Sequence, residues 1–146
     1  MKFCMKLQLT QGFWLGKYEV TQAQYQFVTG KNPSHFEGDR RPVEFVSWED
    51  AIAFSKRLTA KEKNKGTLPE GMEFTLPTEA QWEYVFRAGT TGPYAGEKLD
   101  DLCWYSDNSS TKTQNVGLKL ANPWGFYDMH GIVLELFCQS RHALSR

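Results

Sequence analysis

Near the end of the 146-residue chain, Asp128 and Glu135 close the stretch DMHGIVLE. If this stretch is partly extended, Val133 and Glu135 project to one face. Asp128 could then fold back to offer a second carboxylate, and the Gly131 and Val133 carbonyls could add further oxygens. Carboxylates combined with backbone oxygens are what a hard cation such as Ca²⁺ requires. The same spacing also describes one buried strand, with His130 as a hydrogen-bonded packing residue. His35 and His142 have no acidic or cysteine neighbour at ligand spacing and read as surface histidines. Glu49 and Asp50 open a helix, where negative charge complements the dipole, and Asp100 and Asp101 read as solvated loop residues. No Gly-rich phosphate loop, HExxH, GxSxG or Walker pattern occurs. Cys4, Cys103 and Cys138 have no CxxC spacing, so they read as small buried thiols rather than a disulfide framework or zinc site.

Three helix starts would position these groups. Thr21-Gln22-Ala23-Gln24, Ser47-Trp48-Glu49-Asp50 and Thr78-Glu79-Ala80-Gln81 each place a hydroxyl at the N-cap and a carbonyl-bearing side chain three residues on. The first helix should stop at Gly30 and the third at Gly89, where a left-handed residue costs glycine little. The second, with Trp48, Ile52 and Leu58 spaced for one face, should run to about Lys63. Residues 13–20 and 72–76 read as strands, 43–46 as a short extended piece and 32–34 as a turn. Residues 89–122 are rich in Gly, Ser, Thr and Asn, with Trp104, Tyr105 and Val116 embedded. That pattern predicts a long irregular loop packed by its own side chains. The strands are too short and irregularly spaced for a βαβ array, which leaves an α+β, coil-rich fold.

Composition excludes several function classes. Seventeen basic residues balance seventeen acidic ones, so the footprint of a nucleic-acid binder is missing. The run KRLTAKEKNKG reads as a solvated helix end. No apolar run approaches the ~20 residues of a membrane span, and the opening MKFCMKLQLTQGFWLG lacks a signal peptide's apolar core. Three scattered cysteines fit a reducing, cytoplasmic compartment. Aromatic residues make up 14% of the chain, implying large flat side chains held by loops as well as helices.

Read together, GFWLGKYEVTQAQYQFVTGKNPSHF, RPVEFVSWEDAIAFSKRL, LPEGMEFTLPTEAQWEYVFRAGT and NPWGFYDMHG resemble the formylglycine-generating enzyme (sulfatase-modifying factor) family, from about Leu7 to Glu135. The resemblance implies a coil-rich variant of the C-type-lectin-like fold and a single, partial domain over residues 1–146, cut short at its C-terminus. Members of the founding type oxidise a cysteine in a CxPxR-type motif to formylglycine, using oxygen and copper held by two cysteines. Relatives on this fold include iron-dependent sulfoxide synthases and non-enzymatic ligand binders. The catalytic cysteines of the family follow a GNVWEW motif, whose position here reads GIVLELF, with eleven residues after Glu135. Cys4, Cys103 and Cys138 match neither of them. The resemblance also implies a Ca²⁺ site at Asp128, Gly131, Val133 and Glu135, although Ile132, Leu134 and Leu136 depart from the family pattern.

Three functional expectations follow. The chain is a formylglycine-generating domain in origin, inactive alone without the copper–thiolate machinery. Alternatively it is a non-catalytic lectin-like module binding a glycan, a peptide or a sulfatase-like protein, with residues 94–115 as its recognition surface and with neither nucleic acid nor membrane as partner. In the third case it is an incomplete piece whose exposed core drives homo-oligomerisation.

Overall fold

A computed structural model of the protein describes residues 12–92 and 98–130. Its helices are α1 (Gln22–Thr29), α2 (Trp48–Lys65), α3 (Glu79–Arg87) and two single turns, α4 (Leu99–Leu102) and α5 (Ser106–Ser109). The first three begin at the expected capping boxes. Thr21 Oγ1 accepts the Gln24 N–H (3.3 Å) while Gln24 Oε1 accepts the Thr21 N–H (3.0 Å). Ser47 with Asp50 and Thr78 with Gln81 repeat the exchange. Each box satisfies N–H groups that the first turn leaves without intrahelical partners. α1 stops at Gly30 (φ 79°) as expected, whereas α2 continues past Lys63 to Gly66 (φ 70°). α3 turns left-handed at Ala88 (φ 43°), one residue before Gly89. Ala88 is buried, so its packing offsets the cost of a Cβ in that conformation.

The extended segments differ from expectation. Among the described residues none forms a strand ladder; Thr21 and Pro42 pair through an isolated antiparallel bridge. Val43 N–H donates to Val20 O and Gln22 N–H to Arg41 O, both at 2.9 Å. The run then breaks at Phe45, whose φ of 56° leaves the extended region. Residues 72–76 meet a helix side chain instead of a strand, with the Phe74 N–H donating to Thr59 Oγ1 (2.9 Å). β-prone residue types mark a half-buried surface, but only a neighbouring edge makes such a segment a strand. The observed architecture is helix and coil with few strands.

Buried side-chain amides supply much of the missing pairing. Gln22 is 1% exposed at the start of α1. Its Nε2 donates to Phe36 O (2.8 Å) and Pro42 O (3.2 Å), and its Oε1 accepts from Asn32 Nδ2 and Gly38 N–H (3.0 Å each). Asn122, also buried, donates to Val85 O at the end of α3 (2.7 Å) and accepts the Trp124 and Phe126 N–H groups (3.0 and 3.1 Å). α1 and α2 pack through the stacked Tyr25 and Phe54 rings, 5.3 Å apart. The downstream segment lies against residues 17–41: Val116 N–H donates to Arg40 O, the Arg41 guanidinium to Thr113 O, and Tyr127 N–H to Lys17 O.

Gln22→Ala removes four hydrogen bonds and strands two backbone carbonyls and a backbone N–H in a buried site. Urea unfolding should show a loss of roughly 2–4 kcal/mol. A loss below about 0.5 kcal/mol, the size of an ordinary surface substitution, would contradict this role.

Candidate functional site

Of the sequence-predicted cation ligands Asp128, Gly131, Val133 and Glu135, Asp128 alone falls within the described residues; the other three lie outside them. Asp128 is 8% exposed and left-handed (φ 58°), a conformation that Asp tolerates better than most residues. Its Oδ2 accepts the Gly117 N–H at 2.7 Å. Position 117 requires glycine on two counts: its φ is 73°, and a Cβ there would meet Tyr18 Cε1 at 2.6 Å. The close approach of Tyr18 therefore sets the Gly117 turn against Asp128.

A second carboxylate joins this site from the segment that precedes α1. Glu19, next to Tyr18, is half-buried, and its pKa is raised to about 7, by burial first and by the Asp128 charge second. Burial also raises Asp128, with the Gly117 N–H opposing. Two carboxylates in such surroundings cannot both hold their charge cheaply. The proton of the pair belongs on Glu19, while Asp128 keeps its charge against an N–H donor. Around them the Tyr18 and Tyr127 rings lie 5.0 Å apart, with the Lys17 ammonium 5.6 and 5.2 Å from their centres. Sequence reading missed Glu19 because it sits in a segment read as a strand, more than a hundred positions from Asp128. His130 packs against Phe86 (4.4 Å between ring centres), and burial lowers its pKa. It is a neutral packing group, as its sequence context suggested.

The described residues do not fit a copper–thiolate centre. Cys103 is 3% exposed, donates to Leu99 O (3.5 Å), and burial pushes its thiol pKa up. A soft metal or a nucleophilic role requires the thiolate. Cys4 and Cys138 lie outside the described residues. No group of three or more His, Cys, Asp or Glu side chains gathers among the described residues.

The segment 98–122 is packed by its own side chains, as expected, with Leu102, Cys103, Ser109, Thr113 and Val116 buried. Its aromatics are not outward-facing, however. Trp104 and Tyr105 are half-buried, the first under the Lys119 ammonium (4.0 Å) and the second bonded through its hydroxyl to Asp100. The exposed aromatic pair lies elsewhere. Tyr84 (53% exposed) on α3 meets Trp124 (45%) edge-on at 4.9 Å, and Asn122 fixes the Trp124 turn. The sequence signal for this pair was the NPWG stretch, whose Asn is a turn-former.

Glu19 makes the stability of the fold depend on pH. Its folded pKa lies above the ordinary 4.5, so its contribution is fully present below about pH 4.5 and is lost as pH rises toward 7. Subtracting the curve of Glu19→Gln isolates this contribution from that of His130, which has the opposite sign. The difference in unfolding free energy should change by roughly 2 kcal/mol across this window, discounted for the solvent Glu19 retains. Parallel curves would show that Glu19 does not hold the proton.

Residues 4–144 match the model of the sulfatase-modifying factor enzyme 1-like domain. The chaperone protein LppX of Paenibacillus barcinonensis is 34% identical over 177 aligned positions, covering 90% of this chain and 63% of that protein. The formylglycine-generating enzyme of Mycobacterium tuberculosis is 32% identical over 109 positions, or 64% of this chain and 32% of the enzyme. Among solved structures, Treponema denticola variable protein 1 superposes with a TM-score of 0.67 at 33% identity, over 76% of this chain and 58% of that one. The chain thus spans less than two thirds of these relatives. The alignment with LppX is also longer than the chain itself, so LppX has stretches without a counterpart here. The motifs, the fold and the family model agree: this chain belongs to the sulfatase-modifying factor enzyme 1-like domain family.

Proposed function

We propose that this chain acts as a non-catalytic binding member of its family, on a C-type-lectin-like scaffold, with a polypeptide or glycan as ligand. The observation that carries this reading is the Tyr84–Trp124 pair. It exposes two large aromatic faces on a turn held by three hydrogen bonds of Asn122. Rigid, amphipathic aromatics give contact area at low entropic cost, which is why they serve as binding anchors. Cys103 supports the reading from the chemical side, as a buried, protonated thiol. The resemblance to a protein named as a chaperone favours a polypeptide ligand over the oxidation of a cysteine.

In this reading a Ca²⁺ ion has a structural role at Asp128, Gly131, Val133 and Glu135. The Asp128–Glu19 pair fits a hard cation, since it offers carboxylate oxygens in a buried setting where an added positive charge relieves their repulsion. Calcium titrated into the protein should release a proton from Glu19 near pH 6 and raise the melting temperature. Asp128→Asn should weaken binding by about tenfold or more. Unchanged affinity in that variant would remove Asp128 from the site.

Peptide and glycan arrays probed with the wild type and with Trp124→Ala test the binding reading. Ligand binding should fall by about tenfold or more in the variant, and a CxPxR-type peptide incubated with the protein and Cu(I) should keep its thiol by mass spectrometry. Conversion of that cysteine to formylglycine would overturn the reading.

A further inference from the structure

Charge is segregated along the α1–α2 hairpin. α1 has no charged side chain, and the acidic residues Glu49 and Asp50 of α2 are confined to its first turn. From there to its end, α2 carries Lys56, Arg57, Lys61, Lys63 and Lys65 against Glu62 alone, in a chain whose total charge is zero. Lys65 pairs with Glu62 (2.7 Å), and the other four cations form no ion pair with a described residue. Two of the four are held in place. Lys61 Nζ donates to Phe27 O and Arg57 to Thr29 O (3.4 Å each), so α2 supplies the positive charge that the C-terminus of α1 lacks in its own sequence. Beside them Phe27 is 66% exposed, more than any other large apolar side chain on the described helices. The Lys61 ammonium lies 3.5 Å from its ring centre and that of Lys65 6.0 Å away.

We propose that this face docks an acidic polypeptide segment carrying an apolar side chain. Carboxylates would meet Arg57, Lys61 and Lys65, and the apolar side chain would pack against the edge of Phe27. Arg57, Lys61 and Lys65 follow one another at i, i+4 and i+8 on the side of α2 that meets α1 and Phe27. They span about 12 Å of helix, so two carboxylates on one extended segment of roughly four residues can engage together. Neutralising this cluster relieves the mutual repulsion of the cations, a gain available only to an anionic partner. The ring argues against nucleic acid, because an ammonium already covers its face and leaves little for a base to stack on. A membrane surface would call for an apolar stripe, whereas α2 exposes charge here and α1 contributes one aromatic ring. The face is separate from the Tyr84–Trp124 pair and does not depend on what that pair binds.

The test is fluorescence anisotropy of a labelled Glu-rich peptide with one central Leu, titrated with the full chain at about 50 mM and about 300 mM salt. The wild type should bind, and binding should weaken steeply with salt. Lys61→Glu/Lys65→Glu reverses the two charges beside Phe27 at exposed or half-buried positions, and its melting curve should show that the fold survives. It should bind about tenfold more weakly. Phe27→Ala should lose affinity as well, while Lys112→Glu, a charge reversal at an exposed position outside α2, should not. No peptide binding by the wild type, or equal binding by the double variant, would overturn the proposal. Tighter binding of a single-stranded oligonucleotide or an anionic vesicle than of the peptide would also overturn it.

Discussion

Buried backbone must find hydrogen-bond partners, and coil without a sheet ladder has to find them among side chains. In this protein the amides of Gln22 and Asn122 do much of that pairing. A side-chain amide offers two donors and two acceptor lone pairs. Gln22 uses both ends to hold four positions between Asn32 and Pro42 against the start of α1. Asn122 joins the end of α3 to the 122–126 turn in the same way. A satisfied buried network fixes one arrangement, because any slip leaves a polar group unpaired in a low-dielectric setting.

The candidate site depends on that fixity. Gly117 and Asp128 belong to the segment that Val116 and Tyr127 tie across Arg40 and Lys17. Tyr18 presses on Gly117 so closely that any side chain there would collide. With both segments fixed, Glu19 and Asp128 are held near each other despite the electrostatic cost, which a proton on Glu19 offsets. The Tyr84–Trp124 pair inherits its rigidity from Asn122. The exposed aromatic pair and the carboxylate pair thus rest on the same means of holding coil in place.

Local features were legible in the sequence, and distant pairings were not. Thr21/Gln24, Ser47/Asp50 and Thr78/Gln81 announce helix starts because a capping box is complete within four residues. The family was readable from the same kind of local block, such as LPTEAQWEYVFRAG. Residues 13–20 and 72–76 have strand-like composition, yet their partners among the described residues are single backbone groups and a threonine hydroxyl, which no periodicity reveals. Asp128 could be singled out as a ligand type, but its approach to Glu19 depends on the collision between Tyr18 and position 117. Gln22 gave no signal at all, since a glutamine inside a capping motif looks like an ordinary solvent-facing residue.

Native-state hydrogen exchange at Gly38, Trp124, Phe126 and Gly117 tests the central claim most directly. Each of these amides donates to a side-chain oxygen of Gln22, Asn122 or Asp128. If side-chain acceptors hold the coil as a ladder would, these amides should be protected to a degree comparable with the interior amides of α2. Exchange at unstructured-chain rates at these four positions, with α2 protected, would contradict the account.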